Sequence, residues 1–132
     1  MSVRFSVLAL FVGAVLSNSV RSEDWPSWRG PNRDDISSET GLLKQWPEGG
    51  PEKLWTSHDA GLGYSSFATS NGVLFTMGAD GSAEESNEFV VALKADTGEK
   101  IWQTIIGNYL DNGWGGGPRS TPTISGDLLI AI

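Results

Sequence analysis

Phe89-Val90-Val91-Ala92-Leu93-Lys94-Ala95-Asp96-Thr97-Gly98-Glu99-Lys100-Ile101-Trp102 reads as strand, turn and strand, and that reading decides the fold class. In an extended chain Phe89, Val91 and Leu93 project to one side while Val90 and Ala92 project to the other, so the first strand is apolar on both faces. Such a strand needs cover above and below. Ala95–Glu99 supplies the reversal: the Asp96 carboxylate is suited to accept from the backbone two residues on, and Gly98 tolerates the positive φ that closes a type I turn. Ile101-Trp102 then restarts an extended run with a β-branched residue and an aromatic large enough to anchor a layer interface.

The parts of this hairpin recur. Pro51-Glu52-Lys53-Leu54-Trp55-Thr56 repeats Gly98-Glu99-Lys100-Ile101-Trp102-Gln103 at an offset of 47 residues. Ser66–Phe75, with Asn71-Gly72 inside it, is answered by Ser120–Leu129 at an offset of 54. The difference of seven lies in the loops, since Trp55 reaches Ser66 in 11 residues and Trp102 reaches Ser120 in 18. Four-stranded units at roughly 40–50 residues have the period of a β-propeller blade. The expected fold class is therefore all-β, a β-propeller of which about one to one and a half blades are present.

Ala95-Asp96-Thr97-Gly98-Glu99-Lys100-Ile101-Trp102 resembles the hallmark of the PQQ-like β-propeller repeat, found in quinoprotein alcohol dehydrogenases and in BamB-type outer-membrane assembly proteins. Trp25–Asp34, followed by Trp55 and Gly63-Tyr64-Ser65-Ser66, is similar to the opening of secreted bacterial PQQ-repeat proteins of the kind abundant in planctomycetes. The resemblance implies four-stranded antiparallel blades and covers nearly all of the chain after its leader. It specifies the repeat far better than the activity.

Met1–Ser22 reads as a signal peptide: Arg4 near the amino terminus, an apolar run over Phe5–Leu16, then the small residues Ser17, Ser19 and Ser22. The run falls short of the ~20 apolar residues of a transmembrane helix, so export with cleavage is favoured over an uncleaved anchor. There is no Cys, hence no disulfide and no lipid-bearing cysteine of the kind BamB-type lipoproteins carry. The expected location is periplasmic or secreted, with no membrane attachment after cleavage. A net charge of −7, from 16 acidic and 9 basic residues, argues against nucleic acid and anionic membranes as partners.

The expected organisation is a signal peptide at 1–22, an irregular lead-in at 23–53 and the start of a propeller at 54–132. Within the last, 54–57 is a stray strand of the kind that closes a ring, 66–106 is the first blade, and 120–132 begins a second. The individual strands are expected at Phe67–Thr69, Val73–Met77, Glu88–Lys94 and Lys100–Ile105, then Thr121–Ile124 and Leu128–Ile132 about a Ser125-Gly126 turn. Because at least three repeats are usually needed to bury such a stack, the chain is read as the N-terminal piece of a longer protein. Its blade faces and the edge at Leu128–Ile132 are expected to stay uncovered and to promote association. In the lead-in, Trp25, Trp28 and Trp46 are expected as apolar pins, Gly41–Trp46 as a short helical turn, and Arg29 and Arg33 in salt bridges to Asp34, Asp35 or Glu39, with a substrate carboxylate as the competing use.

Chemistry is sparse. The acidic run Asp80–Glu88 lacks the alternating oxygen ligands and the fixed Gly and Glu of a calcium loop, and reads as a solvated insertion. His58 is the only histidine, so neither a zinc site nor a Ser-His triad is legible, and no base stands near Tyr64-Ser65-Ser66. Asn108–Arg119 is the long inter-blade connection. It fails Gly-x-Gly-x-x-Gly, because Pro118 stands where the third Gly belongs. In the family it resembles, such loops line the central funnel, which makes Asp111, Trp114 and Arg119 the candidate ligand residues, against the blander and favoured reading of pure loop packing. The favoured function is a non-catalytic scaffold binding protein or polymer on the funnel face, with no cofactor. The alternative is a PQQ-dependent alcohol or sugar dehydrogenase holding PQQ with calcium, which the absence of the family's adjacent Cys pair disfavours.

Overall fold

The computed structural model describes residues 22–132, so the expected signal segment lies, but for Ser22, outside the described residues. These residues form β1 (Ala68–Ser70), β2 (Val73–Ala79), β3 (Asn87–Lys94), β4 (Lys100–Asn108), β5 (Thr123–Ser125) and β6 (Leu128–Ile130), with no helix among them. The first four make an antiparallel sheet in the order β1-β2-β3-β4, and β5 pairs only with β6. The architecture is all-β.

Both turns that shape the sheet follow from their sequences. Asn71 and Gly72 both take positive φ, 52° and 77°, between the paired Ser70 and Val73. That is the primed two-residue turn whose twist suits a hairpin, and Asn and Gly are the residues that tolerate it. At the second turn Gly98 sits at φ 70° and its N–H donates to the Lys94 carbonyl at 2.8 Å, while the Lys94 N–H donates to the Glu99 carbonyl at 2.9 Å. The side chain that accepts from the backbone two residues on is Thr97, bonded to the Glu99 N–H, rather than Asp96. Lys94 and Glu99 close the neck with an ion pair at 2.6 Å.

The doubly apolar strand is the buried one. Phe89, Val91 and Leu93 form the core cluster on one face with Leu74 against them, and Val90 and Ala92 are buried on the other face. On the first face, the segment before β1 supplies the cover. Gly61 abuts the Phe89 ring, and the Ala60 carbonyl rests on Gly78, which leaves no space for a Cβ there. Lys100 on β4 reaches Asp59 at 2.9 Å. Alongside β2, Leu62 and Ala79 exchange backbone hydrogen bonds of 2.9 and 2.7 Å, so this segment also extends the sheet at its β1 side. On the second face, Phe75 and Trp102 meet with ring centroids 6.0 Å apart. Ile124, Leu128 and Leu129 of the β5–β6 hairpin face that pair across a cleft.

The structure corrects several expectations. Gly41–Trp46 is irregular rather than helical: Gly41 takes φ 74°, Leu42 and Leu43 remain exposed, and six residues without a packed face do not offset the cost of helix nucleation. Trp25 is the only lead-in tryptophan that is partly buried; Trp28 and Trp46 are 69% and 65% exposed. Leu54–Ser57 forms no strand among the described residues; instead of a backbone ladder, it rests its Trp55 side chain on the Ala95–Gly98 turn. The last turn is centred on Gly126-Asp127 and not on Ser125-Gly126, because Ser125 pairs with Leu128 and Gly126 takes the positive φ. β4 runs three residues beyond Ile105, β1 is shifted by one residue, and β5 and β6 are shorter than expected at the ends near Thr121 and Ile132. The Arg29–Asp35 salt bridge is present at 2.9 Å.

Candidate functional site

The loop Tyr109–Arg119 leaves β4 and folds back on itself. The Gly117 N–H donates to the Leu110 carbonyl at 3.0 Å, and Asp111 faces Gly116 in an isolated bridge. Its glycines are there for close approach. An added Cβ on Gly115 would meet the Tyr64 hydroxyl, and one on Gly116 would meet the Tyr109 ring. Gly113, Gly115 and Gly117 also hold positive φ, which side-chain-bearing residues resist. The loop is pinned at both ends: the Tyr109 N–H donates to the Ser86 carbonyl at 2.9 Å, and the Tyr64 N–H donates to the Pro118 carbonyl at 2.8 Å.

The three candidates part company here. Asp111 is engaged locally, with its Oδ1 accepting from the Gly113 N–H at 2.8 Å, an Asx turn that shapes the loop tip. Arg119 is also engaged. Its Nη2 donates to the Gly115 carbonyl at 2.6 Å, and its guanidinium carbon lies 5.1 Å from the centre of the Tyr64 ring, within cation–π range. Trp114 alone stands out, 86% exposed, with its own N–H held by Asn112 Oδ1 at 3.2 Å. The loop therefore presents one indole from a backbone that is fastened on both sides. Such preorganisation lowers the ordering cost of stacking a ligand on that ring.

Tyr64 is the residue for which the sequence offered no binding role. It is 63% exposed, seats Gly115 and carries Arg119, which makes it a second aromatic in the same region. The only sequence signal was its place in Gly63-Tyr64-Ser65-Ser66. Its neighbour Ser65 is a structural strut: the hydroxyl donates to the Ser120 carbonyl at 2.7 Å and accepts from the Met77 N–H at 3.3 Å. His58 is exposed, and no hydrogen bond joins it to a serine among the described residues. Among the described residues no three His, Asp or Glu side chains gather where a metal ion would sit. In the Asp80–Glu88 insertion, Asp80 instead accepts from the Asn87 backbone N–H at 2.7 Å, closing the mouth of the loop between β2 and β3.

Among the described residues, two ionisable groups are shifted. Asp59 is held below the ordinary carboxylate value, first by its hydrogen bond to Lys100; Lys94 is raised, first by its hydrogen bond to Glu99. The Lys94–Glu99 pair closes the β3–β4 turn and the Asp59–Lys100 pair ties β4 to the segment before β1; neither lies in the glycine-rich loop. Compared with known protein families, with characterised proteins and with solved structures, the chain matches none.

Proposed function

We propose that this chain carries blades of an exported PQQ-like β-propeller that acts as a non-catalytic scaffold, binding a protein or polymer through its inter-blade loops. The observation that carries the blade reading is the seat of Trp55. Its indole Nε1 donates to the Ala95 carbonyl at 3.1 Å, and its ring lies on Gly98, so the first Lys-Leu-Trp stretch docks on the turn of the following hairpin. A tryptophan of one repeat resting on the glycine of the next is how successive blades would be held in register. Trp102 ends the same stretch one repeat later; it meets Phe75 and faces the β5–β6 hairpin across the cleft, the position from which it would seat on the next blade.

The entire exposed length of β4 supports the same reading, with Ile101, Ile105 and Ile106 between 44% and 59% exposed. An outer strand so apolar fits a sheet flanked by further blades. Binding is favoured by Trp114, an accessible ring on a loop that is hydrogen-bonded at both ends. Titration calorimetry of the full chain with PQQ and calcium tests the scaffold reading. The expected result is no binding in the micromolar range; micromolar or tighter binding replaces the scaffold with the quinoprotein.

A further inference from the structure

Away from the glycine-rich loop, the lead-in carries a feature that the propeller reading leaves unused. Ser27-Trp28-Arg29-Gly30-Pro31-Asn32-Arg33 folds as a tight double turn, with the Gly30 N–H donating to the Ser27 carbonyl at 3.0 Å and the Arg33 N–H donating to the Gly30 carbonyl at 3.3 Å. Its base is fastened to the sheets. Trp25 exchanges backbone hydrogen bonds of 3.0 and 2.8 Å with Thr69, the Trp25 ring packs on Gly30, and the Ile124 N–H of β5 donates to the Pro26 carbonyl at 2.7 Å. Between this turn and β5 lies a cleft of about 180 Å³ lined by Ser27, Trp28, Arg29, Arg33 and Thr123.

The lining is chemically one-sided. Arg29 spends only its Nε on Asp35, leaving the two Nη groups without a protein acceptor among the described residues. Arg33 makes no ion pair or side-chain hydrogen bond among the described residues. Its backbone sits at φ 58°, in the left-handed region that a side chain like arginine seldom adopts, and Asp35 sits at 63°. Strain of this kind persists where surrounding structure imposes it, and it is a recurrent mark of binding sites. Arg29 and Arg33 both line this cleft and no acidic side chain does, so an anion that enters it meets two guanidiniums. Guanidinium edges match a carboxylate in a forked, two-bond geometry, while the Trp28 indole, 69% exposed, offers a flat apolar face beside them.

We propose that this lead-in cleft is a binding site for a ring-borne carboxylate, the chemistry of a uronic acid unit in an acidic polysaccharide. The carboxylate bridges the free Nη groups of Arg29 and the guanidinium of Arg33, and the C–H face of the sugar rests on Trp28. The Ser27 hydroxyl is turned inward to the Gly30 carbonyl at 2.9 Å and holds the turn instead of the ligand. The proposal does not depend on the propeller reading, since the charged and aromatic residues that carry it all belong to the lead-in.

The experiment is affinity electrophoresis of the full chain through gels containing polygalacturonate, with neutral dextran and dextran sulfate as comparison polymers. Polygalacturonate is expected to retard the chain, dextran to leave it unaffected, and added salt to weaken the retardation. Arg33→Gly relieves the left-handed backbone while removing the guanidinium, so its thermal midpoint is expected to hold or rise while apparent affinity falls about tenfold or more, the loss of a charge-assisted hydrogen bond. Arg33→Lys, which keeps the charge and loses the fork, is expected to recover only part of that affinity. Absent retardation by polygalacturonate overturns the proposal. Equal retardation by dextran, retention by dextran sulfate alone, or undiminished retention of Arg33→Gly each overturns it as well.

Discussion

Gly98→Ala isolates the contact between Trp55 and the hairpin turn. Gly98 sits at φ 70°, and an ideal Cβ there would lie within 2.9 Å of three carbons of the Trp55 ring. Two costs follow. Forcing alanine into the left-handed region costs about 1–2 kcal/mol. Displacing the ring also breaks the Nε1–H bond to the Ala95 carbonyl and loosens apolar contacts, which adds about 1–2 kcal/mol. Gly72→Ala is the matched control: its φ is 77°, but nothing lies within 4 Å of the added Cβ, so only the backbone cost applies. Gly98→Ala is therefore expected to cost about 1–2 kcal/mol more than Gly72→Ala, which at a urea slope of about 1–2 kcal/mol per molar is an extra fall near 1 M in the unfolding midpoint. Circular dichroism at the β-sheet band follows the unfolding, because Trp55 is itself a fluorophore. In a Trp55→Ala background the two glycine variants are expected to cost the same, the signature of a direct coupling. Equal costs in the wild-type background would mean that the indole does not hold the turn, and the blade-docking argument would fall with it.

Three further outcomes follow from the same structure. Since Asp59 is depressed by Lys100, its contribution is present above the unfolded carboxylate value of 3.8 and is lost as pH falls through the lower folded value. Acid titration of wild type against Lys100→Met is expected to show that the wild type alone loses this increment below pH 3.8, and that high salt shrinks it. Lys94 has the opposite sign: its raised value makes the Glu99 pair fully effective below 10.5 and lost as pH rises through the folded value, which a Glu99→Gln variant is expected to abolish in an alkaline melt series. Trp114→Ala is expected to leave stability within about 0.5 kcal/mol of wild type and to remove the fluorescence most accessible to acrylamide, whereas Arg119→Ala, which frees the Gly115 carbonyl and Tyr64, is expected to loosen the loop measurably in hydrogen exchange.

The scaffold proposal and the lead-in site each rest on an exposed tryptophan. Trp114 and Tyr64 stand near the end of the first sheet, while Trp28 stands over β5. A polymer long enough to touch both would gain avidity without any new contact, provided its length spans the two rings. Combining Trp114→Ala with Arg33→Gly then reports whether the two sites act on one ligand.

Sequence alone determined the strands and the turns at Asn71-Gly72 and Gly98, because these are local matters. Period-two alternation sets which residues share a face, and positive φ selects Asn and Gly wherever the chain must reverse tightly. It also marked the loop that carries Trp114, since a glycine-rich stretch between two strand pairs, followed by no helix, reads as a connection. The tertiary structure decided what alternation cannot: which tryptophan is a pin and which a platform. Trp25, Trp28 and Trp46 are equivalent by composition, yet only Trp25 gains a neighbouring backbone, Thr69, to which it pairs. Likewise Asp111 and Arg119 stand as candidate ligand residues because the family resemblance puts such loops on a funnel, but folding turns both onto the loop's own N–H and carbonyl groups. Arg33 went the other way, from an expected salt bridge to a guanidinium on an open cleft, because its partner's place depends on a backbone turn at positive φ that no side-chain pattern encodes.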